Sequence, residues 1–88
     1  MAQADDLLAR IQRATRHGEV RPSKHARQQM AERNASAENV RAALLSAKVA
    51  KLQADGAVRL EGGTDRDGDE LTVVVSEQDY GLRIVTVF

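Results

Sequence analysis

The feature that most constrains the fold of this chain is a change of hydrophobic periodicity near residue 48. Before it, apolar residues recur at helical spacing, as Val40, Ala43, Leu44 and Ala47 do at i, i+3, i+4 and i+7. After it, the chain breaks into short runs rich in β-branched residues and separated by turn residues. Helices that come first and strands that follow predict an α+β fold, with the helices packed on one face of an antiparallel sheet.

Three helices are predicted in the first half. They cover residues 4–17, about 24–33, and 36 to 46–48. Ser23 and Ser36 are the expected N-caps of the second and third helices, since serine hydroxyls accept the free N–H groups of a first turn. Asn34 is expected in the left-handed conformation between these helices. Residues 18–22 are expected to be a short link, which begins with glycine and ends with the only proline.

Four strands are predicted in the second half. They cover residues 49–53, 57–61, 71–76 and 82–88. Residues 62–69, GGTDRDGD, are expected to be a loop, and residues 77–81 a hairpin turn. The predicted order is αααββββ, with three helices packed on one face of a four-stranded antiparallel sheet.

A chain of 88 residues holds one core. Residues 1–20 are interpreted as a helical extension, which either docks on the core or forms a dimer contact, and residues 21–88 as the α+β domain. The N-terminus lacks the pattern of a secretory signal, and no apolar run is long enough to span a bilayer, so we expect a cytoplasmic protein without a membrane partner.

No metal or cofactor is expected. The chain has no cysteine, and its two histidines are far apart in sequence. No glycine-rich phosphate loop and no nucleophile motif is present. The acidic run at residues 65–70, DRDGDE, does not fit the spacing of a calcium loop, and we interpret it as a solvated hairpin loop.

The formal net charge is zero, but the charge is distributed unevenly. Residues 1–48 carry nine Lys/Arg and five Asp/Glu, whereas residues 49–88 carry four Lys/Arg and eight Asp/Glu. The basic half can face an anionic partner, or it can be a solvated helical face that the acidic loops neutralise. Tyr80 and Phe88 are the only aromatic residues, which argues against a stacking platform for single-stranded nucleic acid.

A polar line is predicted along the second helix. His25, Gln29 and Arg33 are spaced i, i+4 and i+8, so they share one edge of the core-facing stripe. The positive end of the helix dipole favours a neutral imidazole at His25, which suits a general base. Alternatively, His25 makes a structural hydrogen bond. Arg33 either clamps a carboxylate or a strand-end carbonyl, or lines a cleft that binds phosphate.

The stretch SKHARQQMAERNAS at residues 23–36 resembles a family of small bacterial domains of unknown function. The shared pattern is Ser-x-His-Ala, then Arg or Gln, Met and Glu-Arg, followed by a helix-starting serine and two C-terminal strands. The matching positions are Ser23, His25, Ala26, Met30, Glu32, Arg33, Ser36, Val40 and residues 84–87. Asn34 stands where that family usually has glycine. The resemblance covers about residues 21–88 and leaves the first helix outside.

That family is distantly similar to the RelE-like and BrnT-like toxins, small α+β domains related in fold to bacterial ribonuclease toxins. The resemblance implies an RNA-cleaving toxin of a toxin–antitoxin pair, or a degenerate relative of one. His25 would then be the base for the 2′-hydroxyl, and Arg83, Arg59 or Lys24 would hold phosphate. The chain is less basic than such toxins generally are. One alternative is a non-enzymatic module that binds a protein partner through the first helix or a sheet edge, with a homodimer through the first helix also open. Another is a structural role inside a larger assembly.

Overall fold

The computed structural model of the chain describes residues 3–88, with side chains from Asp6 onward. The elements are α1 (Gln3–His17), β1 (Glu19–Pro22), α2 (Lys24–Glu32), α3 (Ala37–Ser46), β2 (Val49–Leu52), β3 (Val58–Glu61), β4 (Val73–Gln78) and β5 (Gly81–Val87). The sheet order is β1-β5-β4-β3-β2. The α+β class and the three helices are therefore confirmed.

The predicted four-stranded antiparallel sheet is wrong, because the expected link at residues 18–22 contains a strand. The four predicted strands form antiparallel pairs in sequence order. Strand β1 adds to their outer edge in parallel with β5, with Glu19 opposite Gly81 and Arg21 opposite Arg83. The sheet is therefore five-stranded and mixed.

Strand β1 is not predicted from the sequence because it is short and ends in proline. Within it the Glu19 N–H donates to the Tyr80 carbonyl at 2.8 Å, and just after it the Ser23 N–H donates to the Ile84 carbonyl at 2.9 Å. The backbone N–H groups of a strand point alternately to its two edges, so the backbone nitrogens of Val20 and Pro22 point away from β5. The missing N–H of Pro22 therefore lies on the free edge, where a proline is tolerated.

The predicted helix boundaries follow from capping chemistry. Ser23 Oγ accepts the Ala26 N–H at 3.0 Å, and Ser36 Oγ accepts the Asn39 N–H at 3.1 Å, so both predicted N-caps are confirmed. Asn34 has φ 56°, the left-handed conformation expected for it. These caps fix where α2 begins and how sharply the chain turns into α3.

The core lies between the helices and one face of the sheet. Its largest fully buried side chains include Ile11 of α1, Leu44 of α3, Leu60 of β3 and Ile84 of β5. Helix α1 is thus part of this core. Its Gln12 Nε2 also donates to the carbonyls of Leu44, Leu45 and Ala47 at 3.1–3.3 Å, which satisfies the C-terminal end of α3.

The opposite face of the sheet carries mostly polar side chains. Alternation along β3 buries Val58 and Leu60 and turns Arg59 and Glu61 to the other side. By the same alternation, Arg21 and Arg83 lie side by side on that face, because they are register partners. The sheet therefore presents arginines of neighbouring strands on the face that the core does not use.

Candidate functional site

A shallow cleft lies where the first turn of α2 meets β4 and β5. Its volume is about 480 Å³. The lining residues are Ser23, Lys24, His25, Ser76, Gln78, Arg83 and Val85. The sequence predicts six site residues, and three of them lie together in this cleft: Lys24, His25 and Arg83.

The start of α2 at the edge of β5 positions Lys24 and His25. Ser23 connects the two elements, since its N–H donates to the Ile84 carbonyl and its hydroxyl caps the helix. Lys24 and His25 are the first two helical residues after this cap. Their N–H groups have no intrahelical carbonyl, because the residues four positions earlier lie in β1. The positive end of the helix dipole thus adds to the charge of Lys24.

The cleft is electropositive. Lys24, His25 and Arg83 are exposed, and none of the lining residues is acidic. The adjacent acid Glu77 is neutralised on the other side of the sheet, where Arg10 donates to it from Nε at 2.8 Å and from a terminal nitrogen at 2.9 Å. The hydrogen bond to Glu77 raises the pKa of Arg10.

Two uncharged polar side chains complete the cleft. Gln78 Nε2 donates to Ser76 Oγ at 3.0 Å. The hydroxyl proton of Ser76 is thereby directed away from the amide and can be donated to a ligand. Cations combined with hydroxyl donors, and without a carboxylate among the lining residues, favour an oxyanion such as a phosphate.

The predicted polar line of α2 does not act as one unit. Gln29 Oε1 accepts the backbone N–H of Val87 at 2.8 Å, so this side chain completes the edge of β5 beyond the end of β1. Arg33 is the C-cap residue and is exposed, although the helical wheel predicts it beside the core. Arg33 lies nine positions after Lys24, which is roughly 13 Å along the helix axis. Neither Gln29 nor Arg33 lines the cleft.

Arg59 lies elsewhere on the sheet. Its Nε donates to Glu61 Oε2 at 2.8 Å, and its Cζ lies 5.0 Å from the centre of the Phe88 ring. Lys51 binds the same carboxylate at 2.9 Å. The hydrogen bond from Lys51, helped by Arg59, holds the pKa of Glu61 below its ordinary value. Arg59 is therefore engaged in a surface ion-pair cluster, away from His25.

Sequence reasoning missed the residues that β1 and β4 bring to this region. Ser76 and Gln78 lie on β4, and Arg21 of β1 neighbours Arg83. Only a β1–β5 pairing reveals that Arg21 stands beside the cleft. The signal available in the sequence was the alternation Glu19-Val20-Arg21-Pro22, which is too short to distinguish a strand from a link.

A second concavity, of about 360 Å³, lies on the core side of the β1 edge. Val20, Met30, Val40 and Ile84 form its apolar floor, and its charged lining residues are Glu19, Arg21, Glu38 and Arg41. These two acids and two arginines balance, so this cavity has no preference for an anion.

The family model described as "Domain of unknown function (DUF4258)" matches residues 23–88, which are 66 of the 88 residues. The chain belongs to the DUF4258 family. The expectation of a small domain-of-unknown-function family is thereby confirmed. No curated protein and no solved structure matches the chain significantly.

The DUF4258 match begins at the N-cap Ser23. All residues that line the basic cleft fall inside the matched range, whereas α1 and β1 fall outside it. The cleft is thus built from the DUF4258 portion of the chain, and Arg21 is added by the segment that precedes it.

Two further properties concern the described residues 3–88. None of their helices has the length and apolar character needed to cross a membrane. Within the same range, no group of three or more His, Asp or Glu side chains is arranged to hold a metal ion.

Proposed function

We propose that this DUF4258 domain is RNA-directed, and that the basic cleft binds the phosphodiester backbone of RNA. The observation that carries the proposal is the convergence of Lys24, His25 and Arg83 in a cleft that no acidic side chain lines. Backbone phosphates are bound chiefly by cations such as Lys24 and Arg83, and by free N–H groups at helix starts. The distant similarity of this family to the RelE-like and BrnT-like toxins supports RNA as the ligand.

The side chains of the cleft have the chemistry for metal-independent cleavage. His25 is exposed, so its imidazole can take the proton of a ribose 2′-hydroxyl, whose oxygen then attacks the adjacent phosphorus. Arg83 cannot release a proton, so its role is to stabilise the phosphorane charge. Lys24 can donate a proton to the departing 5′-oxygen. The products are a 2′,3′-cyclic phosphate and a 5′-hydroxyl.

The test of this activity is RNA cleavage in the presence of EDTA. A labelled single-stranded RNA should be cut by the wild-type domain, and a 2′-deoxy substitution should block the cut at that position. His25→Ala should abolish cleavage without lowering the melting temperature. His17→Ala is the matched control, because it removes the other histidine, which is exposed on α1, and it should cleave normally. RNA binding without any cleavage at pH 5–9 would reject the catalytic role and leave a degenerate relative.

A second candidate function is the binding of a protein partner at the sheet edge. It is favoured by the unpaired edge of β1 beside the apolar concavity of Val20, Met30 and Val40. An extended peptide can add to such an edge and insert one apolar side chain. The apolar side of α1 is used inside the domain, where Ile11 is buried, so this candidate rests on the sheet edge. Val20→Glu should abolish peptide capture and leave RNA binding intact.

The division into an extension at residues 1–20 and a domain at residues 21–88 remains a proposal. The proposed boundary lies two residues before the start of the DUF4258 match at Ser23, and it falls within β1. A homodimer through the free β1 edge belongs to the second candidate, and sedimentation of wild type and Val20→Glu would separate the two states.

A further inference from the structure

The guanidinium plane of Arg21 lies next to the basic cleft, and it is not one of the groups proposed to bind the RNA backbone. The Arg21 Cζ lies over the ring of Tyr80, 4.1 Å from its centre. On another side, Arg21 Nε donates to Glu19 Oε2 at 2.7 Å. Two contacts of different kinds therefore fix the orientation of this guanidinium group.

The outward face of Arg21 is nevertheless open. Its side chain remains 58% exposed, although it covers the ring and pairs with Glu19. A surface arginine normally samples many rotamers and loses that freedom when it binds a ligand. Here the ring and the carboxylate hold the plane before any ligand arrives, so binding to its free face costs less conformational entropy.

The charge of Arg21 favours a base over a phosphate at this position. Glu19 neutralises the guanidinium through the ion pair, whereas Arg83 forms no such pair with another described residue. Because Arg21 and Arg83 are register partners on the same face, a nucleotide whose phosphate is held at Arg83 would place its base within reach of Arg21.

We infer that Arg21, held by Tyr80 and Glu19, is a base-stacking subsite for an unpaired nucleobase next to the bound phosphate. Unpaired bases in RNA stack on arginine planes as well as on aromatic rings. The scarcity of aromatic residues argues only against a platform made of rings. This inference rests on the proposed RNA function and makes it specific for single-stranded RNA.

The experiment compares two probes that carry the same backbone charge. One is an oligoadenylate of about 12 nucleotides, and the other is an abasic ribose-phosphate strand of equal length. The wild-type domain should bind the oligoadenylate more tightly. Arg21→Lys keeps the charge and removes the plane, so it should weaken oligoadenylate binding about tenfold and leave abasic binding unchanged.

Three further variants control for folding and for general effects of arginine replacement. Arg59→Lys is the matched control, because Arg59 also lies over a ring and pairs with a glutamate, but outside the cleft. It should bind both probes as the wild type does. Tyr80→Leu should behave like Arg21→Lys, and Tyr80→Phe like the wild type, at comparable melting temperatures.

The outcomes separate the subsite from the function on which it rests. If wild type binds neither probe, the RNA function itself is rejected, and the subsite with it. If wild type binds both probes equally, or Arg21→Lys weakens both alike, RNA binding stands and the stacking subsite is rejected.

Discussion

Gln29 and Val87 are joined across 58 residues of sequence, since the Gln29 side-chain oxygen accepts the Val87 backbone N–H at 2.8 Å. Strand β1 pairs with β5 only as far as Ile84, so the N–H of Val87 lies beyond the end of β1. Beyond β1, Ser23 and Gln29 of the α2 segment form the hydrogen bonds to this edge of β5. Part of the SKHARQQM segment is therefore a structural closure of the sheet, and His25 and Lys24 are left free for a ligand.

Replacing Gln29 by alanine should destabilise the domain and spare its binding site. The substitution leaves a half-buried N–H group without its acceptor, which costs about 1–3 kcal/mol. For a domain of this size each kcal/mol lowers the melting temperature by roughly 4–8 °C. Thermal unfolding followed by circular dichroism measures the effect.

Gln28→Ala is the control for Gln29→Ala, because Gln28 precedes it on the same helix and is exposed. It should melt within about 2 °C of the wild type. Equal melting temperatures for the two variants would contradict the closure of the β5 edge by Gln29.

Helix α1 should contribute strongly to stability, although it lies outside the family match. Ile11 is fully buried in the core, so Ile11→Ala removes buried methyl and methylene groups and leaves a cavity. Such substitutions cost about 2–5 kcal/mol. The exposed Arg13→Ala, two residues further on α1, should cost less than about 0.5 kcal/mol. Urea unfolding measures both, and a small effect of Ile11→Ala would show that α1 is a dispensable extension.

Glu61 should make the domain more stable at neutral than at acidic pH. Lys51 and Arg59 lower its pKa in the folded state, so ionised Glu61 stabilises the fold. That stabilisation is complete above the ordinary glutamate pKa of about 4.3, and it is lost as the pH falls through the lower folded pKa. Glu61→Gln should therefore lower the melting temperature at pH 7, and its difference from the wild type should shrink as the pH falls below about 4.3. A constant difference across this range would contradict the assignment.

The fold class and the helix ends could be predicted because they depend on local chemistry. Ser23, Ser36 and Asn34 act within one helical turn, and the periodicity of the core stripe is read directly from the sequence. Strand β1 could not be predicted, since its four residues gain their structure from pairing with β5, more than 60 residues away. Long-range pairing overrides the weak local pattern there.

The same difference between local and long-range interactions explains why only part of the candidate site could be predicted. The helix start predicts His25 and Lys24, whereas the sequence predicts Arg83 only as a phosphate-binding cation and does not indicate which residues lie beside it. The helical wheel wrongly places Arg33 beside the core, because it assumes an ideal helix as far as residue 33. In the structure Arg33 is the C-cap residue of α2. Arg21 was missed because its position depends on the β1–β5 register.

The central claim is that the cleft of Lys24, His25 and Arg83 binds the RNA backbone. Its most direct test is the salt dependence of single-stranded RNA affinity, measured by fluorescence anisotropy between about 50 and 200 mM salt. Arg83→Ala should weaken binding and reduce the slope of log K against log salt by about 0.7, the value for one lost phosphate contact on a single strand. Arg33→Ala, which removes the same charge at the far end of α2, should change neither. Equal effects of the two substitutions, or none from Arg83→Ala, would contradict the account.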